Sequence, residues 1–150
     1  MYALLQRVNY AKVRVDGKIT GEIDKGILVM RFSGGSPAPS GEFSGVAKKM
    51  FDKILKYRMF YDENEKMNLN VTQVEGSVLL VSQFTLAANT AAGNRPSFDP
   101  AMPPKEAEEL YGKFTKYAHE VFPRVSEGVF GADMKVELEN DGPVTFMLKI

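Results

Sequence analysis

One histidine, His119, and no cysteine stand among the 150 residues. That composition withdraws thiolate nucleophiles, cysteine-held zinc and disulfides. His119 falls roughly 180° from the Leu110–Phe114–Tyr117 stripe at helical spacing, so it is expected in water. A Ser-His-Asp triad and a histidine metal centre therefore lack support. No GxGxxG or Walker-type loop follows a strand; the glycine-rich SGGSPAPSG at 33–41 lacks the spacing and the lysine. Asp62, Glu63 and Glu65 read as a solvated turn, and no close carboxylate pair suggests glycosidase chemistry. An enzyme built from this chain must use backbone amides, hydroxyls, carboxamides and groups carried by its substrate. Two stretches offer them: Ser82-Gln83-Phe84-Thr85-Leu86 and Asn140-Asp141-Gly142-Pro143-Val144-Thr145.

The elements that must position these stretches follow from periodicity. Tyr2 to Val15 is rich in β-branched and aromatic residues, and Asp16-Gly17 is a strong hairpin signal. A second strand is expected near Lys18 to Ile23, a turn at Asp24-Lys25-Gly26, and a buried strand in ILVMRF, together an antiparallel meander. The segment SGGSPAPSGEFSG at 33–45 reads as a loop. From Phe43 to Phe60 the period becomes helical, with Val46, Ala47, Met50, Phe51, Ile54 and Leu55 on one side and Lys48, Lys49, Asp52, Lys53 and Lys56 on the other.

Val78 to Val81 is an unbroken apolar run, as in a strand covered on both faces. Alternation then places Ser82, Phe84 and Leu86 on one face and Gln83 and Thr85 on the other. NTAAGNRPSFDPAMPP at 89–104 is a second long loop. Pro103-Pro104 opens a helix to about Phe122, with Leu110, Phe114, Tyr117 and Val121 as its apolar stripe. Met134 to Glu139 and Val144 to Ile150 alternate, and Asn140-Asp141-Gly142 between them predicts a closing hairpin. Pro143 occupies a position where a ladder usually needs an N–H donor.

Composition bounds the rest. With 44% hydrophobic and 25% charged residues the chain is an ordinary globular one, long enough for one domain over residues 1–150. Nothing resembles a signal peptide or approaches the ~18 apolar residues of a membrane span, so a soluble cytoplasmic protein is expected. Nineteen basic residues against 19 acidic leave no net charge, which argues against gripping DNA or long RNA by bulk phosphate attraction.

SQFTL at Ser82–Leu86 and NDGPVT at Asn140–Thr145 match the paired SQxT and NxGPxT motifs of the D-aminoacyl-tRNA deacylases. QRV near the start, KMNLNV at Lys66–Val71 and NRPSF at Asn94–Phe98 fall in the family's order and spacing, so the chain resembles that family along its whole length. The segment at 33–45 departs from it, where the family often carries a more acidic stretch. The resemblance implies an α/β fold: a single mixed domain, mostly antiparallel and barrel-like, with two helices packed on the sheet. It implies a homodimer that hydrolyses the ester between a D-amino acid and the 3′-terminal adenosine of tRNA, with no metal or other cofactor. It also implies a cis Gly142-Pro143 bond, inserted into the partner's site, where backbone alone meets the aminoacyl group and an L side chain finds no room.

From the resemblance, Ser82, Gln83, Phe84 and Thr85 line the catalytic pocket, with backbone N–H groups around Phe84 as oxyanion donors. Thr90 is either a hydroxyl near the substrate or a plain loop residue; neither it nor Ser82 has an activating base nearby in sequence. Arg7 either holds the Gly-Pro segment or is an edge-strand charge. Asn140 and Thr145 brace the turn. Phe98 packs on the terminal adenosine or belongs to the core. The Lys48, Lys49, Lys53, Lys56 and Arg58 face tracks tRNA phosphates or is simply solvated. The expected mechanism is assisted by the ribose 2′-hydroxyl, and glycyl-tRNA is a further candidate substrate. The alternatives are an esterase using Thr90 or Ser82 as nucleophile, and a dimeric RNA-binding protein without catalysis.

Overall fold

In the computed structural model, which describes residues 1–33 and 40–150, the chain runs through eight strands and two α-helices. In order these are β1 (Tyr2–Val15), β2 (Lys18–Ile23), β3 (Gly26–Phe32), α1 (Ser40–Lys56), β4 (Phe60–Tyr61), β5 (Met67–Leu69) and β6 (Ser77–Ser82). A 3-10 turn at Phe84–Ala87, α2 (Pro104–Val121), β7 (Val125–Glu127) and β8 (Lys135–Lys149) complete it. Of the expected loop at 33–45, residues 34–39 lie outside the described residues, and the rest is corrected from Ser40 on, where α1 already begins.

β1 organises the sheet because it is long enough to serve three partners. β2 pairs antiparallel with its C-terminal half, Ala11 to Val15, through the Asp16-Gly17 turn. β3 pairs antiparallel with its N-terminal half, Tyr2 to Val8. The expected meander is thus corrected: β3 lies beside β1 rather than β2, since a 14-residue strand has length left over after a six-residue hairpin partner. β3 pairs parallel with β6, and β6 parallel with β7. β7 then returns to β2, where the Ser126 hydroxyl donates to the Glu22 carbonyl at 3.0 Å. Gly21 has no Cβ, so the Glu127 carbonyl can sit against its backbone. These approaches curl the sheet into a nearly closed barrel.

The closing hairpin is also corrected. Its two halves form one strand, β8, antiparallel to β1 over nearly its full length, from Lys135 opposite Arg14 to Lys149 opposite Tyr2. Between the pairs Val8–Asn140 and Gln6–Thr145, the single residue Arg7 is opposed by 141–144, so the Asp-Gly-Pro segment is a bulge and not a reversal. Both halves find their ladder partners in β1, which removes any need to pair with each other.

Side-chain alternation sorts two cores. Ile27, Val29, Val78 and Leu80 face α1 and α2, and Leu28, Leu79 and Val81 face the barrel interior. That is why the run Val78–Val81 is apolar throughout. On α1, Ala47, Met50, Phe51 and Ile54 are buried as the helical period requires, but the helix stops at Lys56 and Phe60 belongs to β4. On α2 the buried face is Leu110, Tyr111, Phe114, Thr115 and Ala118. Val121 is 43% exposed, because the last turn runs past the edge of the sheet-facing stripe. Phe51 meets Phe114 edge-on at 5.7 Å, locking the helices together. No helix among the described residues is long and apolar enough to cross a membrane.

Candidate active site

β6 ends at Ser82, directly opposite Arg31 of β3. The last ladder bond runs from the Gln83 N–H to the Arg31 carbonyl at 2.9 Å. Beyond it no strand is available, because β3 stops at Phe32, and the chain tightens into the 3-10 turn. The expected alternation through Leu86 is therefore corrected: Gln83 and Thr85 do not share a strand face. They meet instead by a short hydrogen bond from Gln83 Nε2 to Thr85 Oγ1. The Phe84 and Thr85 amides open the turn and have no partner inside it, and among the described residues neither donates elsewhere.

Ser82, Gln83, Phe84 and Phe98 converge on one cleft of about 390 Å³, completed by the Ala101–Pro104 segment, Phe130 and Arg31. Phe84 is 60% and Phe98 40% exposed, with ring centroids 5.2 Å apart, so two apolar rings stand open at its mouth. Phe98 is thereby placed at the cleft and not in the core. The loop that carries it is closed by the Asn89–Ser97 bridge. Thr85 and Thr90 are exposed and do not line the cleft. Among the described residues no histidine, lysine or carboxylate is hydrogen-bonded to Ser82 or Thr90, so neither hydroxyl has an activating base. His119 is exposed on α2, 3.6 Å from a Glu127 oxygen. No three His, Asp or Glu side chains converge as a metal site among the described residues.

Arg31 is the charged residue of the cleft lining, and sequence reasoning missed it, as it missed Phe130. Its guanidinium is 3% exposed beneath α2, 5.7 Å from the Phe114 ring centre. Nη2 donates to Ser33 Oγ at 2.8 Å, while Nε has no partner among the described residues. Burial pulls its pKa well below the usual guanidinium range, to about 10, with the nearby Tyr111 acting against this. The same burial pushes the Tyr111 phenol up; its hydroxyl donates to the Leu80 carbonyl at 3.0 Å. The only available signal was parity: Arg31 shares its face with Ile27 and Val29, which pointed it into the helix-side core.

The second motif forms a separate cluster. Arg7, 2% exposed, donates from Nε to the Asp141 carbonyl at 3.0 Å and from Nη1 to the Met59 carbonyl at 2.8 Å. Its guanidinium also lies 4.5 Å over the Tyr61 ring. Asn140 spans the bulge: its Oδ1 accepts the Val144 N–H at 2.7 Å, and its Nδ2 donates to Thr145 Oγ1 at 3.0 Å. The Gly142–Pro143 peptide bond is cis, and both residues are exposed at the crest of the bulge. Gly142 has φ +136°, and a Cβ there would come 2.7 Å from Val144 Cγ2 and 3.2 Å from Arg7 Nη2.

The two clusters are far apart within one chain. Ser82 lies at the level of Ala3 on β1 and the bulge at the level of Arg7, with β8, β1, β3 and β6 in lateral order. Three strand spacings of about 4.8 Å and four residues of about 3.3 Å separate them, roughly 20 Å along the sheet.

The family profile described as D-Tyr-tRNA(Tyr) deacylase matches residues 4–149. A protein of Dichelobacter nodosus named D-aminoacyl-tRNA deacylase is 55% identical over 150 residues, covering 100% of both chains. One of the same name from Acinetobacter baylyi is 53% identical, over 100% of this chain and 99% of its own. Among solved structures, one titled c-Myc DNA Unwinding Element Binding Protein superposes with a TM-score of 0.89 at 35% identity, over 100% of this chain and 99% of that one. Another, titled a probable eukaryotic D-amino acid tRNA deacylase, gives 0.79 at 19% identity over 99% and 98%, a likeness of fold.

Proposed function

The chain belongs to the D-Tyr-tRNA(Tyr) deacylase family, and on that premise we propose that it hydrolyses the ester linking a D-amino acid to the 3′-terminal adenosine of tRNA. The observation that carries the finer reading is the separation of two motif clusters on one sheet, the SQFTL strand end on the cleft and the Gly142–Pro143 crest outside it. A crest set off from its own cleft by three strand spacings, roughly 20 Å along the sheet, is free to serve another copy's cleft. In a two-fold homodimer each Gly142–Pro143 enters the partner's site, an arrangement that satisfies both sites by one reciprocal interface.

Within that composite site the crest acts as a chiral filter. Gly142 offers no side chain, so its backbone reaches the α-carbon of the substrate. The Gly142 and Pro143 carbonyls, on a crest braced by Arg7 and Asn140, accept from the α-amino group and exclude a side chain of L configuration. A glycyl ester has nothing to exclude and passes. Phe98 and Phe84 supply the apolar faces for the terminal adenine.

Hydrolysis needs no protein nucleophile. Water adds to the ester carbonyl, oriented by the neighbouring ribose 2′-hydroxyl, which also relays its proton toward the leaving 3′-oxygen. The Phe84 amide, at the cleft, receives the developing oxyanion. Collapse of the tetrahedral species breaks the carbonyl-carbon–3′-oxygen bond and releases the D-amino acid and a free 3′-hydroxyl.

The test is a substrate ending in 2′-deoxyadenosine, charged at the 3′-oxygen. Loss of nearly all turnover is expected. Full turnover on it would remove the 2′-hydroxyl from the mechanism.

A further inference from the structure

A second concavity, of about 400 Å³, lies between the end of α1 and β8 and is lined by Lys53, Lys56, Tyr57, Arg58, Met67 and Phe146. Three of the six are cations and none is an acid. Lys53, Lys56 and Arg58 are exposed, and among the described residues none is ion-paired. The helix dipole accounts for lysines in the last turn of α1. It does not account for Arg58, two residues past the helix end, whose Nε is pinned by the Asn68 carbonyl at 2.9 Å. Nor does it account for the floor, where half-buried Tyr57 and Phe146 meet edge-on at 5.3 Å. Cations around aromatic faces are what single-stranded nucleic acid requires: phosphates meet the charges and bases lie on the rings. A chain of zero net charge that concentrates three free cations here selects a short strand and not a duplex body.

The groove adjoins the Gly142–Pro143 crest. Arg7 bonds the carbonyl of Met59, the residue after Arg58, and that of Asp141, the residue before Gly142. We propose that this groove binds the single-stranded nucleotides that precede the esterified adenosine, and that it serves the tRNA whose end lies in the partner's cleft. The second half rests on the reciprocal dimer described above.

The variant Lys53→Gln/Lys56→Gln/Arg58→Gln tests the groove on two substrates, D-tyrosyl-tRNA and D-tyrosyl-adenosine, the latter too short to reach it. The expected result is a loss of about tenfold or more in kcat/KM on the tRNA, with the nucleoside ester hydrolysed as before. The slope of log kcat/KM against log salt should flatten by about 2, at roughly 0.7 per single-strand phosphate. The charge-keeping variant Lys53→Arg/Lys56→Arg/Arg58→Lys should retain the tRNA rate. An unchanged tRNA rate and salt slope, or equal losses on both substrates, would overturn the groove. Failure of the unaltered protein on both D-tyrosyl-tRNA and D-tyrosyl-adenosine would instead count against the deacylase reading itself. Mixed dimers settle the subunit. A Gly142→Ala chain with an intact groove is paired with a groove-variant chain that keeps Gly142. If the groove acts across the interface, the one site with a working filter has the damaged groove, and tRNA turnover stays low. Half of the normal turnover would place the groove beside its own chain's cleft and overturn the cross-subunit half.

Discussion

Arg7 and Asp141 are joined through a single nitrogen: Arg7 Nε donates to the Asp141 carbonyl at 3.0 Å and stands 3.3 Å from the Asp141 carboxylate. The other side of the same guanidinium holds the Met59 carbonyl. One buried cation therefore fixes the bulge of β8 against the connection between α1 and β4, and the exposed Gly142–Pro143 crest inherits that rigidity.

Replacing Arg7 by Met leaves two carbonyls without donors and removes a cation from the Tyr61 face. Stability should fall by about 2–4 kcal/mol, from lost charge-assisted bonds and unsatisfied acceptors. Arg7→Lys, with no planar fork, should recover less than half of that. Urea denaturation of the three proteins checks both figures.

Gly142→Ala puts a methyl at φ +136°, 2.7 Å from Val144 Cγ2 and 3.2 Å from Arg7 Nη2. The backbone conformation alone costs an L residue about 1–2 kcal/mol. The crest must also shift, so hydrolysis of D-tyrosyl-tRNA should drop by about 100-fold or more while the protein remains folded. Circular dichroism beside the kinetic assay separates the two effects.

Ser82→Ala, Gln83→Ala and Thr90→Ala should each keep activity within about tenfold of the parent, since none of these side chains has an activating base. Complete loss in one hydroxyl variant, or a trapped acyl intermediate on Ser82 or Thr90, would establish covalent catalysis instead.

Arg31→Met should stabilise the protein. The folded-state pKa of Arg31 lies well below its ordinary value, at about 10, because burial disfavours the cation. A base depressed in this way destabilises the fold fully below pH 10, and the penalty fades as pH rises from there toward the unfolded-state pKa. Its size at neutral pH is on the order of 3 kcal/mol. Losing the Ser33 bond offsets part, leaving an expected gain of about 1–2 kcal/mol at pH 7. Denaturant midpoints at pH 7 and above pH 10 should show the gain and then its narrowing.

Legibility in the sequence followed the range of the interactions involved. Asp16-Gly17 sets a turn by local chemistry, with φ of 50° and 76° in the structure, and it was readable. The buried face of α1 and the proline start of α2 were readable for the same reason. Asn140-Asp141-Gly142 carries the same turn signature, yet β1 offers ladder partners on both sides of it and Asn140 bridges the gap, so a bulge forms. That outcome depends on a strand some 130 residues away in sequence, Asn140 being paired with Val8. Gln83 and Thr85 failed for a complementary reason: their alternation needed a neighbour strand that ends at Phe32. Arg31 sits at a core parity but has a surface residue type, and only the helix laid over it decides between the two. The distance between the two motifs is a property of the sheet and could not be read from either motif.

The most direct test of the account is release of tyrosine from D-tyrosyl-tRNA and L-tyrosyl-tRNA, followed side by side with the purified protein. The account predicts rapid loss of the D ester with the L ester spared by roughly two orders of magnitude or more. Equal loss of both would contradict the filter assigned to Gly142 and Pro143, and loss of neither would contradict the deacylase activity.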